Sequence, residues 1–505
     1  MKKLFILSLF VCFSLSLNAQ TDNNKVFIGT IDSISSSIMN EKRKVWVYVP
    51  QSSGGDIYAK QKYPVIYLLD GDAHFYSVVG MIQQLSQVNG NTICPEMIVV
   101  GIPNTNRTRD LTPTKSINDP FMKDQPAIEK AAGGGEAFMS FIEKELMPYI
   151  DSIYPTQPYK ILIGHSFGGL TVMNTVINHT KLFNSYICID PSMWWDNMNF
   201  LKATEKALSE KNFAGTTLYL GIANTMNESM DVNKVQNDTS ADSRHIRSIL
   251  EMDKFIKAKN PKGLTYDSKY YNGDDHGSVP LIAEYDALRF IFDKYRLKLS
   301  NKDFEDSTTV LTTKMEKHYA EVSTMMGYKV GPPETMVNNM GYQAMSQKQF
   351  AKAAGFFKMN IANYPQSLNV YDSYGDYFIA IGDKENAIVQ FKNALSIKEF
   401  PETRHKLDEL EGKAAFKLNA ADLQKYTGDF EIESVGIKVK TFVSDNVLKI
   451  SATGRSDSEL SPTSLNEFTV KGLEGSKMRF EMTDNKPTAI HIDVSEGSFI
   501  ATPKK

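Results

Sequence analysis

The sequence feature that most constrains the fold is the motif Gly164-His-Ser-Phe-Gly168, in which two glycines flank Ser166. A continuous apolar run at 159–163 precedes the motif, and a segment with helical periodicity follows it to residue 178. A chain that turns abruptly from a buried strand into a helix needs glycines at these positions, because the two backbone segments approach closely. The pattern predicts that Ser166 is a nucleophile exposed at the end of a buried strand, beside free N–H groups of the following helix.

Segments of the same two kinds alternate from about residue 26 to residue 300. Helical patterns at 77–88 and 136–150 separate apolar or β-rich segments, which lie at 44–49, 65–69, 97–100, 185–190, 216–222 and 264–271. Uninterrupted apolar runs are typical of strands buried on both faces of a sheet. The alternation predicts an α/β fold, with helices on both faces of a mostly parallel sheet.

The remainder of the 505-residue chain changes character twice, and the length allows about three domains. After the α/β domain (20–300), residues 301–415 have helical periodicity and a 34-residue repeat, seen in the pairs Gly341/Gly375, Ala353/Ala387 and Phe357/Phe391. This spacing resembles that of tetratricopeptide repeats and suggests a protein partner for the segment. Residues 416–505 contain short alternating strands separated by turn residues, which predicts a small β-domain formed by an antiparallel sheet or barrel.

The N-terminus has the pattern of an export signal. Lys2 and Lys3 precede an apolar stretch at 4–17, and the small residue Ala19 follows it at a suitable cleavage position. We expect residues 1–19 to be a signal peptide and the mature protein to be periplasmic or secreted. The later sequence contains no apolar run long enough for a membrane span, so none is expected there.

Composition excludes several classes of protein. Lys plus Arg number 56 and Asp plus Glu number 59, so the net charge of −3 argues against a nucleic-acid-binding protein that neutralises phosphates. The three cysteines are too few for a disulfide scaffold or a four-thiolate zinc site. We expect neither a metal nor a cofactor.

A neutral serine needs a general base, and the order Ser–acid–His leaves two candidates, His245 and His276. His245 lies within a helical stretch, where we interpret it as a surface or capping residue. His276 follows the last predicted strand in a short loop, at the sheet edge where the sites of α/β proteins gather. We therefore favour His276 as the base.

The acid that orients the histidine is expected in the loop after the strand at 216–222. Glu228 and Asp231 are both available there, with Asp238 further along, and we favour Asp231. The oxyanion hole needs two backbone donors, which we assign to Phe167, directly after the nucleophile, and Asp72, in the loop after the strand at 65–69.

Several motifs together resemble the putative-esterase family of α/β-hydrolases, which includes esterase D-like, enterochelin-type siderophore and feruloyl esterases. The motifs are Tyr67-Leu-Leu-Asp-Gly71, Val100-Gly-Ile-Pro-Asn104 with Arg109-Asp110, Gly164-His-Ser-Phe-Gly168, Pro191-Ser-Met-Trp-Trp-Asp196 and Asp275-His276. The resemblance covers about residues 26–298 and implies that Ser166 is the nucleophile and His276 the base. Asn224 occupies the position where the family often has its acid, so the acid is expected from later in the same loop.

The substrate is expected to be a small ester or a glycan-linked ester. Trp194 and Trp195 are candidates for the wall of its pocket, and Arg109 is a candidate for binding an anionic group, since a guanidinium matches a carboxylate. Siderophore, feruloyl, acetyl and simple acyl esters all remain open. The main hypothesis is an exported serine esterase; the alternatives are an acyltransferase with the same triad and a non-catalytic scaffold that uses the helical repeats.

Overall fold

The computed structural model describes residues 26–50, 57–116, 126–413, 416–473, 476–494 and 497–504. The predicted signal peptide, 1–19, lies outside these ranges. The described chain forms a mixed α/β sheet domain, then a helical segment, then an antiparallel β-barrel, which confirms the predicted fold class.

The α/β domain is built on an eight-stranded sheet in the order β1-β2-β4-β3-β5-β6-β7-β8. Strands β3 to β8 are parallel to one another, whereas β1 and β2 are antiparallel at one edge. The strands are β1 (Thr30–Ser36), β2 (Glu41–Tyr48), β3 (Tyr63–Leu69), β4 (Ile98–Ile102), β5 (Thr156–His165), β6 (Ser185–Ile189), β7 (Thr216–Ala223) and β8 (Leu264–Tyr271).

Helices cover both faces of this sheet. They are α1 (Gly71–Ser86), α2 (Arg107–Asp110), α3 (Pro126–Ala131), α4 (Gly135–Phe141), α5 (Met147–Ile153), α6 (Phe167–Asn178), α7 (Asn199–Glu210), α8 (Arg244–Lys259) and α9 (Val279–Ile291), with a π-helical turn (Ile142–Leu146) joining α4 to α5. Every residue of β3, β4 and β6 is buried, because each of these strands has helices on both sides. Alternate residues of β3 therefore enter two separate cores: Tyr67 lies in one, and Ile66 and Leu68 lie in the other.

The helical segment comprises α10 (Asn301–Glu305), α11 (Val310–Met326), α12 (Glu334–Ser346), α13 (Phe350–Asn363), α14 (Leu368–Ala380), α15 (Lys384–Ile397) and α16 (Pro401–Glu411). The repeat seen in the sequence has a packing reason. A Cβ atom on Gly341 would lie 2.7 Å from the ring of Phe357. The second glycine and the second phenylalanine each come 34 residues after the first, and a Cβ atom on Gly375 would lie 2.5 Å from the ring of Phe391. Each pair of helices thus approaches closely where a glycine faces a phenylalanine. Assignment of these pairs to the tetratricopeptide class stays a prediction.

The helical segment shares a hydrophobic core with the α/β domain. Val322 and Met326 of α11 lie in the same buried cluster as Ile291 and Phe292, at the end of α9. A buried carboxylate adds polar contacts, because Glu334 accepts hydrogen bonds from the Ala59 N–H of the α/β domain (3.0 Å) and from the Ser367 hydroxyl (2.6 Å).

The C-terminal part begins with a short helix, α17 (Ala420–Leu423), and continues as a closed eight-stranded antiparallel barrel. Its strands are β9 (Gly428–Ile432), β10 (Ile437–Ser444), β11 (Val447–Ala452), β12 (Ser458–Ser464), β13 (Glu467–Val470), β14 (Lys477–Thr483), β15 (Lys486–Val494) and β16 (Gly497–Pro503). Tyr426, Phe468 and Phe480 meet edge to face inside it, with ring centroids 4.9–5.4 Å apart.

Among the described residues, no helix has both the length and the apolar character that crossing a bilayer requires.

Candidate active site

Ser166 lies at the sharp turn between β5 and α6. Its backbone has φ 60° and ψ −114°, a conformation that a non-glycine residue adopts only when the surrounding structure enforces it. The turn is held by a hydrogen bond from the Ser166 N–H to the carbonyl of Ile189 (3.0 Å) and by one from the Leu170 N–H to the carbonyl of Ser166 (2.9 Å). The local geometry is that of a nucleophile elbow.

This turn requires Gly164 of the motif and Gly169, which directly follows the motif. A Cβ atom on Gly164 would lie 2.4 Å from the backbone of Gly168, and one on Gly169 would lie 2.9 Å from the carbonyl oxygen of Ile189. Larger residues would push the helix away from the strand and displace Ser166.

His276 lies in the loop between β8 and α9, as the sequence predicts, and its Nδ1 hydrogen-bonds the carboxylate Oδ2 of Asp190 at 2.5 Å. This bond leaves Nε2 as the ring nitrogen that can accept a proton from a hydroxyl. Ser166 and His276 line the same cleft. The structure therefore places Ser166, and a histidine that is hydrogen-bonded to a carboxylate, at one cleft.

Asp190 follows β6 directly, at the carboxyl edge of the sheet, next to β5, the strand that precedes Ser166. Its side chain is fully buried, and its second oxygen, Oδ1, accepts the N–H of Ala223 at 3.0 Å. Burial acts to raise the pKa of Asp190, but the hydrogen bonds from His245 and His276 outweigh it and hold the pKa well below the usual range. The group is therefore a carboxylate that can stabilise a protonated His276.

The residues that we favoured as the acid lie elsewhere. Asp231 binds the backbone N–H of Asn233 within its own exposed loop, and Glu228 is exposed in the same loop. In this structure His276 is hydrogen-bonded to Asp190, the carboxylate that follows β6, and not to an acid that follows β7. Asn224, at the position where the related family often has its acid, instead accepts the N–H of Met226 and donates to the carbonyl of Asn272.

His245 also contacts Asp190, contrary to our interpretation of it as a surface or capping residue. Its Nε2 lies 2.8 Å from the same Oδ2 atom, and its Nδ1 lies 3.0 Å from the indole Nε1 of Trp194. Protein groups occupy both ring nitrogens, so His245 is not placed to take a proton from Ser166. The rings of His245 and His276 meet edge to face, with centroids 5.1 Å apart.

The two predicted oxyanion donors lie in the first turns of helices. Phe167 is the first residue of α6 and Asp72 the second residue of α1, so neither backbone N–H has an acceptor within its own helix. Just before α1, the Asp70 carboxylate accepts hydrogen bonds from Nε (2.7 Å) and from a terminal nitrogen (3.0 Å) of Arg107. This ion pair neutralises an anion beside the elbow, where it would oppose a developing oxyanion. The role of the two N–H groups stays a prediction.

The cleft has a volume of about 430 Å³ and is bordered by nine residues: Ser166, Phe167, Ser192, Trp194, Thr225, Ala241, Arg244, His245 and His276. Trp194 lies in this wall, in agreement with its predicted place. Trp195 does not, because its side chain is fully buried and its indole nitrogen donates to the carbonyl of Thr114 at 3.1 Å. Trp195 supports the cleft from below, with its ring against that of Phe167 at 5.3 Å.

Arg109 is not among the residues that border the cleft. Its guanidinium donates hydrogen bonds to Asp110 at 2.7 Å and to Glu41 at 2.7 Å. Asp110 also accepts a hydrogen bond from the buried Arg43 at 2.6 Å. The burial of Asp110 requires such pairing, so the guanidinium serves the structure.

Three side chains in the described chain could hold a metal ion: His165, Asp190 and His276, whose ligand atoms lie within 4.8 Å of one another. Two of them already bind each other in the triad. Burial, with His276 nearby, lowers the pKa of His165 to about 3, so its imidazole is neutral. The prediction of a site without metal stays a prediction.

Sequence reasoning missed Asp190 and the place of His245. A signal for Asp190 was present, since it ends a continuous apolar run as the catalytic residues of α/β sheets do. No such local signal marks His245, because its contact with Asp190 spans 55 residues and depends on how α8 packs.

Comparison with known proteins agrees with this geometry. The family model described as "Putative esterase" matches residues 36–274. The ferri-bacillibactin esterase BesA of Bacillus subtilis is 27% identical over 284 residues, which are 54% of this chain and 93% of that protein. A siderophore enterobactin esterase of Emericella nidulans is 27% identical over 168 residues, 31% of this chain and 55% of that protein.

Among solved structures, the chain is similar to an IroE-like serine hydrolase from Shewanella oneidensis. The two are 29% identical with a TM-score of 0.55, and the match covers 66% of this chain and 98% of that one.

Proposed function

We propose that this protein is an exported esterase that hydrolyses a siderophore ester with Ser166, His276 and Asp190, and the match of residues 36–274 to the "Putative esterase" family model supports the proposal. The observation that carries the proposal is the bond of His276 Nδ1 to a buried carboxylate in the cleft that also holds Ser166. This bond fixes the proton on Nδ1 and directs the basic Nε2 to the reaction.

The reaction follows from these positions. His276 Nε2 takes the proton of the Ser166 hydroxyl as the oxygen attacks the ester carbonyl carbon. The negative charge on the carbonyl oxygen is held by the N–H groups of Phe167 and Asp72, while Asp190 stabilises the imidazolium. His276 then gives its proton to the leaving alcohol, an acyl-enzyme remains, and a water activated by the same histidine releases the acid.

The substrate class is argued from the cleft and the relatives. The curated relatives named above act, by their names, on ferri-bacillibactin and enterobactin. Phe167 and Trp194 offer aromatic surface on the cleft wall, and Arg244 brings a cation over the Trp194 ring at 6.0 Å. An aromatic acyl group that carries anionic oxygens fits such a wall. The apolar stretch at 4–17 supports export, which would place the enzyme outside the cytoplasm.

The test is hydrolysis of defined esters by the purified protein, followed by mass spectrometry. Trilactone siderophores, with and without iron, are compared with feruloyl, acetyl and short-chain chromogenic esters. Ser166→Ala is expected to lose hydrolysis and labelling by a fluorophosphonate, whereas Ser209→Ala, on the exposed side of α7, should keep both.

Full activity of Ser166→Ala would refute the proposal, and preference for feruloyl or acetyl esters would refute the substrate class. An added alcohol acceptor separates hydrolysis from acyl transfer, since dominant ester exchange would make the protein an acyltransferase.

A further inference from the structure

We infer that His245 is a positioning residue of the triad, and that Trp194 holds it in one tautomer. The inference rests on the proposed function and extends it to two residues beyond the triad. Its basis is a continuous chain of hydrogen bonds from the indole of Trp194 through His245 and Asp190 to His276.

The direction of each bond follows from the chemistry of the groups. An indole N–H can only donate, so Nδ1 of His245 must accept and carries no proton. Its Nε2 must then carry the proton and donate to Asp190 Oδ2. His245 is therefore neutral while Trp194 donates, and a neutral imidazole acts on Asp190 as a fixed hydrogen-bond donor.

The second donor on Oδ2 has two effects on the triad. Together with the Ala223 N–H on Oδ1, it fixes the orientation of the carboxylate, so that Oδ2 faces His276. It also shares the negative charge that would otherwise be offered to His276 alone. Further titratable or charged side chains lie near this chain of hydrogen bonds. They are His165, whose ring lies 4.4 Å from that of His276, Asp275, whose carboxylate interacts electrostatically with His276, and Arg244, next to His245 in α8.

Trp194 links this chain to the cleft. Its ring forms part of the wall that borders Ser166, while its indole nitrogen fixes His245. A protonated His245 would place a second cation beside His276 and oppose the imidazolium that forms during attack.

The experiment compares four variants in the full chain: His245→Leu, His245→Gln, Trp194→Phe and the control His179→Leu. His179 is a fair control because it is also 20% exposed and also pairs with a carboxylate, Glu136, outside the cleft. Values of kcat and KM are measured from pH 5 to 9, and unfolding temperatures show whether each variant is folded.

His245→Leu should lower kcat about 10- to 100-fold with little change in KM, the loss typical of one hydrogen bond to a charged group. Its acid limb in the kcat/KM profile should move to higher pH, because Asp190 then holds the protonated His276 more strongly. His245→Gln, whose amide nitrogen can replace the Nε2 donor, should recover most of kcat. Trp194→Phe should give a steeper acid limb, since His245 can then take a second proton.

A Gln variant no better than the Leu variant, or a Leu variant with wild-type kcat and pH profile, would overturn the inference. The ¹⁵N NMR spectrum of the histidine rings in the wild-type protein tests the tautomer directly and needs no variant. A proton on Nδ1 of His245 would also overturn the inference. If the wild-type protein hydrolyses no ester, the proposed function fails, whereas the ring spectrum still decides the tautomer.

Discussion

The strongest test of the site is the substitution Asp190→Asn, because the structure fixes how the new amide must sit. Oδ1 of Asp190 accepts the buried N–H of Ala223, so the asparagine has to place its carbonyl oxygen there. Its NH2 group then replaces Oδ2 and points donors at His276 Nδ1 and His245 Nε2. His276 can satisfy a donor at Nδ1 only by moving its own proton to Nε2.

That tautomer cannot take the proton of Ser166, which sets the size of the effect. In a serine protease triad, the corresponding change lowers kcat about 10⁴-fold, or about 5 kcal/mol in activation free energy. We expect a loss of about 10³- to 10⁴-fold in kcat here, with KM changed far less. Steady-state hydrolysis of a chromogenic ester is sufficient to measure it.

Asp231→Asn is the matched control, since Asp231 is the acid favoured by sequence and is 46% exposed. It should keep wild-type kcat. A loss below about tenfold for Asp190→Asn, or a large loss for Asp231→Asn, would show that the geometric reasoning is wrong.

Two further predictions concern stability. Burial raises the pKa of Glu284 to about 8, against an ordinary 4.5. Because the folded protein then binds this proton more tightly than the unfolded chain does, wild-type stability should fall as pH rises from about 4.5 to 8. Glu284→Gln should remove this slope and be more stable than wild type at pH 8, by up to about 4 kcal/mol in urea unfolding. Parallel pH dependences of the two proteins would contradict this. Gly375→Ala should destabilise the protein by about 1–3 kcal/mol, because its Cβ would lie 2.5 Å from the Phe391 ring, whereas Gly80→Ala in α1, with no neighbouring atom within 4 Å, should be neutral or stabilising. Equal unfolding temperatures for the two alanine variants would argue against the close helix contact.

The parts of the site that could be predicted from sequence are those with local causes. Ser166 is identified by glycines that its own turn requires, and His276 by its place after the last strand. Asp190 could not be chosen, because Asp70 also follows a buried strand directly and only packing decides which carboxylate reaches the histidine. Trp194 and Trp195 are neighbours in sequence, yet one borders the cleft and the other is buried beneath it.

The same distinction applies to the fold. Strand–helix alternation predicted the parallel sheet, since central strands such as β3 and β6 are continuous apolar runs. The sequence left open whether the C-terminal strands form an open sheet or a barrel, because closure depends on the pairing of β9 with β16, where Phe430 meets Pro503. Likewise, β1 has exposed and buried residues mixed along an edge of the sheet and gives little pattern.

The core that α11 shares with the α/β domain limits how these parts can be exchanged. Val322 and Met326 cover apolar side chains near Ile291 and Phe292, so an esterase without this helix must present polar residues at the covered positions or lose solubility there. Transplanting the helices onto another hydrolase would require the matching apolar patch to be transplanted with them. In lineages that gained or lost the helical segment, substitutions at the end of α9 should therefore have accompanied the event.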